Sequence, residues 1–179
     1  MTINSNQADS LAGAPTYKGL LASVIVFGAL YAFYEFWVVA QPVYKEYLEF
    51  CVSLASWILN EFLGEQSTIA NMSAGMRLES RSHDAAYIRV TKGSDGGLFA
   101  VVLIAILAGQ SSVWYKTLLG MVIGIALVFC LSIARICVLF KVDIYSARHL
   151  YLMSDFILPG VFCLLIALYY FAWLRVSSK

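Results

Sequence analysis

Charged residues are scarce in this chain of 179 residues. Asp, Glu, Lys and Arg together make up only 13% of it, hydrophobic residues make up 61%, and the mean hydropathy is +0.78. A soluble domain is usually about half apolar and about a quarter charged, so this composition excludes an ordinary soluble domain. The length and the composition together predict an integral membrane protein with one compact domain.

Three further shortages exclude other classes of protein. The net charge is only +1 and no basic patch with interleaved aromatic residues occurs, so we expect no nucleic acid as a partner. The four cysteines lie inside apolar runs, which is typical of free, buried thiols rather than of disulfides. The two histidines, His83 and His149, have no cysteine at ligand spacing, so we expect no metal and no other cofactor.

Long uncharged stretches predict the membrane helices. A helix needs roughly 20 mostly apolar residues to cross the hydrocarbon layer. Four stretches come close to this length: Gly19 to Ala40, which contains Glu35, Leu98 to Tyr115, Thr117 to Ala134, and Phe156 to Leu174. The third contains Gly120 and Gly124, a spacing that permits close helix packing. Residues 1–18 are small and polar and predict a disordered tail, which leaves 19–179 as a single membrane domain.

Two less apolar elements lie between the first and second of these stretches. Tyr44 to Leu63 has a helical pattern and one narrow polar stripe, formed by Lys45, Glu49, Ser53, Ser56 and Asn60. This helix either lies along the membrane interface or crosses the membrane with its stripe against protein or water. Ser73 to Thr91 is charged and partly alternating, which predicts two short strands with a turn near Ser82 to Asp84.

The predicted fold is therefore an all-α integral membrane protein. It has about four transmembrane helices, one amphipathic or fifth membrane helix, and a small extramembrane β-hairpin cap within a segment of about residues 64–96.

The predicted helices bring three polar positions to one membrane face. One helix leaves that face just after Ser94, and the next helix returns to it just before Arg135. The loop that follows stays at this face and carries His149. These residue types suit nucleophilic catalysis, because a hydroxyl needs a nearby base and a cation can stabilise the oxyanion of acyl transfer.

Each of these positions also has an ordinary structural interpretation. Arg135 could be a basic anchor that reaches the membrane interface, and His149 could be an interfacial residue. The glycines around Ser94 could simply form a tight turn. Glu35 lies either in the bundle interior, where Arg135 is a plausible partner, or at the end of the hydrocarbon layer.

Three motifs, in this order, resemble those of the exosortase/archaeosortase family. They are VTKGSDGGL, LSIARICVLF and, before the last membrane helix, ARHLYL. The chain is most similar to the short, exosortase H-like members. The family's members are intramembrane cysteine enzymes that recognise a C-terminal signal made of a short motif, a membrane helix and a basic tail. They cleave this signal from exported proteins by transpeptidation.

The resemblance implies a catalytic set of Ser94, Arg135 and His149. The expected supporting residues are Asp95, Gly96, Ser132 and Glu35. It also implies a multi-pass protein of the bacterial inner (cytoplasmic) membrane with its active-site face outside the cytoplasm, although the distribution of basic residues favours the opposite orientation. The implied partners are the membrane-anchored C-terminal tails of exported proteins, the lipid bilayer and other membrane proteins.

The chain departs from the family at two motif positions. Ser94 stands where the family has its cysteine nucleophile, and Ser132 stands where the second motif has asparagine. The pKa of a free thiol is about 8.5, whereas a hydroxyl is far less acidic and needs stricter base and oxyanion geometry, so we expect little or no activity from this chain. Cys137 is a poor replacement for the nucleophile. It follows Arg135 by two residues, and side chains two residues apart on a helix point in different directions.

Three explanations of Ser94 stay open. It is an engineered change that traps substrate or silences the enzyme, a natural feature of an inactive protein that binds tails or assembles with partners, or a natural and working nucleophile with His149 as its base. The alternative function is accordingly a non-catalytic membrane scaffold or tail receptor with the same fold.

Overall fold

The computed structural model describes residues 17–72, 75–82, 86–91, 96–109 and 114–177. Five helices and three strands follow one another in the described chain: α1 Tyr17–Phe33, continued by a π-helix Tyr34–Val38; α2 Pro42–Phe62; β1 Ser67–Met72; β2 Gly75–Ser80; β3 Tyr87–Val90; α3 Gly97–Ala108; α4 Trp114–Ser146; and α5 Leu150–Ser177. A 3₁₀ turn, Ala147–His149, joins α4 to α5, and α5 contains a π-helical turn at Met153–Ile157.

Three helical segments are long and apolar enough to cross a membrane, namely Gly19–Val38, α4 and α5. The fourth predicted crossing, Leu98 to Tyr115, is wrong in its length, because α3 ends at Ala108 and Gly109 forms its C-cap. Glycine is a poor helix former, so it ends the helix where the apolar run also ends. The 12 residues of α3 rise about 18 Å, less than the ~30 Å of the hydrocarbon layer, and a fourth crossing stays a prediction.

Glycines let α3 lie antiparallel against α1. A Cβ at Gly97 would lie 2.5 Å from the hydroxyl oxygen of Tyr34, near the end of the first membrane segment. A Cβ at Gly109 would meet the hydroxyl of Ser23 and lie 2.6 Å from the carbonyl oxygen of Gly19. The N-terminal end of α3 therefore contacts the first membrane segment at Tyr34, and its C-terminal end contacts that segment at Gly19 and Ser23. A larger side chain at either end of α3 would push the two helices apart.

The predicted close packing at Gly120 and Gly124 is confirmed. A Cβ at Gly120 would lie 2.6 Å from the indole ring of Trp173, and one at Gly124 would lie 2.5 Å from a methyl group of Leu103. The hydroxyl of Tyr169 donates a hydrogen bond of 2.5 Å to the carbonyl oxygen of Gly120. The two glycines thus seat α4 against both α3 and α5.

The helix α4 continues well beyond its predicted end at Ala134. It has 33 residues and is about 50 Å long, roughly 20 Å more than the hydrocarbon layer needs. Its extension carries apolar side chains at helical spacing that are buried against α2 and the sheet: Ile136, Cys137, Leu139 and Phe140. The predicted loop from Ile136 to Asp155 is wrong for this reason, since this burial stabilises helix where the sequence turns polar.

The cap is a three-stranded antiparallel sheet in the order β1-β2-β3, where the sequence predicted a hairpin. Leu78 of β2 pairs with Ile69 of β1 and with Ile88 of β3. The β2–β3 pair is the predicted hairpin, and its predicted turn lies partly outside the described residues. The strand β1 was missed, because its sequence STIANM is short and lacks regular alternation. The buried face of the sheet packs on α2 and α4.

The helix α2 lies beneath β1 and β2 and does not have the composition of a crossing helix. Four of the five residues in its predicted polar stripe are exposed: Lys45, Glu49, Ser53 and Asn60. The fifth, Ser56, is buried, and its hydroxyl shares a hydrogen bond of 2.8 Å with that of Ser67 in β1. The stripe therefore includes one position that fastens the sheet to the helix.

The close contact at Gly120 gives a test of helix packing. We expect Gly120→Ala to lower the free energy of unfolding by about 1–3 kcal/mol, since the added methyl group overlaps the Trp173 ring. Thermal unfolding in detergent measures this change. Gly28→Ala in α1 is the matched control, because a Cβ there meets nothing within 4 Å. Equal effects of the two substitutions would contradict the packing described above.

Candidate active site

The first predicted motif is only partly visible in the structure. Ser94, the predicted nucleophile position, and its neighbour Asp95 lie outside the described residues. The described chain stops at Thr91, directly after β3, and resumes at Gly96, which is the N-cap of α3. The location of Gly96 therefore fixes where this motif enters the helical bundle.

Gly96 joins the first motif to the second. It is buried and adopts φ 79°, a left-handed conformation that favours glycine. A Cβ at this position would meet the hydroxyl of Ser132, whose side chain is 1% exposed and donates a 2.8 Å hydrogen bond to the carbonyl of Val128. The structure thus brings together two of the predicted supporting residues, Gly96 and Ser132.

Arg135 is half-buried on α4, within the helix and not at its end as predicted. Its Nη2 donates a 3.3 Å hydrogen bond to the carbonyl of Ser154 in the π-helical turn of α5. In that turn the N–H of Leu158 donates to Met153, and the residue five positions after Ser154 is Pro159, which has no N–H. The guanidinium of Arg135 therefore donates to the carbonyl of Ser154, for which the π-helical turn supplies no backbone N–H.

His149 lies at the end of the 3₁₀ turn that follows α4, and it is exposed. Its Nδ1 shares a 2.6 Å hydrogen bond with the hydroxyl of Ser146. That bond leaves Nε2 as the nitrogen available for proton transfer. The structure places His149 about 7–8 Å of helical rise before Ser154, the residue that Arg135 contacts, and it gives His149 no hydrogen bond to Arg135.

Glu35 is half-buried in the π-helix Tyr34–Val38. Its pairing with Arg135 stays a hypothesis. The neighbouring Tyr34 presses against Gly97 at the start of α3, and its hydroxyl lies 3.5 Å from that of Tyr44. Sequence reasoning missed both tyrosines as site residues, since only the fold shows that a π-helical turn, often found at functional sites, faces the first turn of α3.

A groove of about 340 Å³ begins at Gly96 and Gly97 and opens to the outside of the bundle. Residues of α3, α4 and α2 line it: Gly96, Gly97, Ala100, Val122, Ile125, Ala126, Val128, Phe129 and Tyr47. No lining residue carries a charge, and Val122 and Ile125 are exposed within a helix apolar enough to span a membrane. The groove is therefore suited to an apolar occupant.

Cys137 is buried, and its thiol points to the carbonyl of Ala55 in α2, at 3.8 Å. This placement supports the interpretation that it is no substitute nucleophile. Among the described residues, no three His, Cys, Asp or Glu side chains lie close enough together to hold a metal ion.

No family model matches the chain, and neither the curated proteins nor the solved structures contain a match. The family resemblance therefore rests on the three motifs.

The contact of Gly96 with Ser132 can be tested with a matched pair of glycines. Gly64 also has a positive φ, of 66°, but a Cβ there meets nothing within 4 Å. We expect Gly64→Ala to cost about 1–2 kcal/mol of unfolding free energy, from its backbone conformation alone. Gly96→Ala should cost more, because its methyl group also overlaps the Ser132 hydroxyl.

Chemical or thermal unfolding in detergent measures both variants. The double variant Gly96→Ala with Ser132→Ala lacks the hydroxyl that the new methyl group overlaps. Its loss of unfolding free energy should therefore be close to that of Gly64→Ala. A double variant no more stable than Gly96→Ala would show that the two residues do not collide.

Proposed function

We propose that this chain is an exosortase-like intramembrane peptidase or transpeptidase that acts on the C-terminal sorting signals of exported proteins. The contact of Gly96 with Ser132 carries the proposal, because it joins the end of the first motif to the second. Arg135 follows Ser132 by three residues on α4, a spacing that places the two on neighbouring parts of the helix surface.

The proposed chemistry is acyl transfer at the N-terminal end of α3. The nucleophile at position 94 attacks the scissile carbonyl carbon, and Nε2 of His149 takes its proton and returns it to the leaving amine. An acyl-enzyme forms, and water or an acceptor amine then releases it. Arg135 stabilises the oxyanion, and the helix N-terminus adds a favourable dipole.

The groove beside Gly96 supports a substrate with a membrane helix. Any peptide within the hydrocarbon layer must satisfy its own backbone hydrogen bonds, so a bound tail there is helical. The groove is uncharged and opens on α4 through Val122 and Ile125. A helical tail in this groove would enter from the lipid and place its first residues next to Gly96.

The exposed side of α2 supports a topology in which this helix lies along the outer membrane surface. Val43, Phe50 and Trp57 recur every seven residues, and each side chain is more than half exposed. This apolar stripe lies beside the exposed polar stripe, as in helices that lie in the membrane interface. With α1 entering from the cytoplasm and α2 not crossing, the site faces outward from the bacterial inner membrane, and the cap stands outside the cytoplasm.

Ser94 itself favours a second candidate function, a non-catalytic scaffold or tail receptor. A site arranged for a thiolate works poorly with a hydroxyl, since serine is far less acidic. The same groove would then hold a tail without cleaving it.

The first experiment uses an exported reporter that carries a C-terminal motif, a membrane helix and a basic tail from the same genome. It is expressed with the chain as given and with Ser94→Cys, and intact mass measures loss of the tail. We expect cleavage by the cysteine variant and little or none by the chain itself. Cleavage by both would make Ser94 a working nucleophile. Binding without cleavage by either form would favour the receptor, and neither binding nor cleavage would contradict both proposals.

In the Ser94→Cys background, we expect Arg135→Ala and His149→Ala each to lower the cleavage rate at least ~100-fold, through loss of oxyanion stabilisation or proton transfer. Arg148→Ala is the matched control, because this exposed arginine adjoins His149 and carries the same charge as Arg135. Reporter cleavage over time measures the rates. Unchanged cleavage by either variant, or an equal loss with Arg148→Ala, would reject the assignment.

A further inference from the structure

We infer that the substrate's extended segment docks, before its membrane helix, on the edge of β3 that faces away from β2. This inference rests on the proposed function and adds the way in which the tail is recognised. An extended peptide that adds to a sheet edge gains main-chain hydrogen bonds, and the side chains of the edge strand set its specificity.

The hydrogen-bond pattern shows which groups of β3 face this edge. The N–H of Ser80 donates to the carbonyl of Ala86 at 3.1 Å, so in this register Ile88 and Val90 are the residues that bond to β2. The N–H of Tyr87 points the other way and donates to Oδ2 of Asp143 at 2.8 Å. The N–H and the carbonyl of Arg89 therefore also point away from β2.

Arg89 is the open position on this edge. Asp143 covers the edge at Tyr87, whereas in the described part of the chain no hydrogen bond outside the ladder reaches the N–H or the carbonyl of Arg89. The residue is exposed. An unpaired donor and acceptor on an exposed edge strand form a template for a further strand.

The opposite edge of the sheet gives an internal comparison. There the N–H of Ser67 in β1 donates to Oδ1 of Asn60 at 2.8 Å, and Ile69, two residues on, is the corresponding open position. The two edge strands differ in the segment of the chain that follows each of them. β1 continues only into β2, whereas β3 continues into the segment of Ser94 and reaches the groove at Gly96. A peptide paired with β3 would therefore lie beside the strand that precedes the Ser94 motif in the chain.

The charges on the outer face of the sheet indicate the chemistry of the occupant. Arg77 and Arg89 lie directly opposite each other on β2 and β3, an arrangement that costs stability. Nε of Arg77 lies 2.9 Å from a carboxylate oxygen of Glu79, and its guanidinium stacks 3.9 Å from the Tyr87 ring. Arg89 has no ion pair within the described residues. The occupant is accordingly an extended peptide with a carboxylate side chain that faces Arg89.

Replacing the edge N–H tests the inference in the Ser94→Cys background with the tail reporter. Arg89→Pro removes the edge N–H without removing a bond of the β2–β3 ladder, and proline is tolerated on edge strands. We expect its cleavage rate to fall about tenfold, as for loss of one hydrogen bond. Arg89→Ala keeps the N–H and should lower the rate only for reporters that carry the carboxylate.

Ile69→Pro is the matched control on the β1 edge, and it should leave cleavage unchanged. Thermal unfolding of all three variants identifies any general loss of fold. Equal losses of activity with Ile69→Pro and Arg89→Pro, at equal stability, would overturn the inference.

Disulfide trapping gives a readout that does not need cleavage. The chain keeps Ser94, carries Arg89→Cys, and is expressed with reporters that have a single cysteine at successive positions before their membrane helix. Strand pairing predicts cross-links at alternate reporter positions. Ile69→Cys should give none, and the chain without an added cysteine measures background from Cys130 and Cys163, which are exposed.

Cross-links without a period of two, or equally strong ones from Ile69→Cys, would refute docking on β3 even when the tail is bound and cleaved. A reporter that is neither bound nor cleaved by any form would remove the proposed function, and the docking strand with it.

Discussion

The burial of apolar side chains on the C-terminal part of α4 is the interaction on which the cap depends. About 20 Å of this helix exceeds the hydrocarbon layer, and Ile136 and Phe140 on this part complete the core beneath the sheet. Two polar contacts also bind this part of α4 to the cap. Lys141 pairs with Glu65, which precedes β1, at 2.6 Å, and Asp143 accepts a hydrogen bond from the N–H of Tyr87 in β3. One rigid helix thus connects the membrane bundle with the cap.

The same helix carries Ser132 and Arg135 at the level where the bundle meets the cap. Ser132 is buried and Arg135 is half-buried, and each side chain meets a backbone group. Ser132 returns a hydrogen bond to its own helix, and Arg135 supplies a donor to the π-helical turn of α5. An unsatisfied carbonyl in such surroundings costs free energy comparable to a lost hydrogen bond, so the arginine stabilises the turn whether or not it also acts on a substrate.

Hydropathy was sufficient to predict the middle of α1, α4 and α5, because a membrane helix needs a long uncharged stretch and little else. The end of α4 was not predictable from charge. The sequence turns polar at Arg135, yet Ile133, Ile136 and Phe140 keep the helical period and are buried. The prediction weighted the charge above the period and ended the helix too early.

The candidate site was predicted only in part. The sequence predicted Gly96 and Ser132 as supporting residues of two motifs expected at one membrane face, and the structure brings these two residues together. The roles of Tyr34 and Tyr44 were not predicted, since the contact of Tyr34 with Gly97 and with the hydroxyl of Tyr44 depends on the packing of three separate segments. Strand β1 was missed because its buried position comes from Ser67 and its bonds to α2, and not from hydrophobic alternation.

The cap core is assembled from parts of the chain that are far apart in synthesis. Leu48 and Leu59 of α2 and the strands leave the ribosome well before Ile136 and Phe140, which follow α3 and most of α4. Contacts of such large sequence separation form late in folding. Until α4 has folded against it, the apolar face of the sheet has only α2 to cover it, so the formation of α4 sets the time at which the core of the cap is completed.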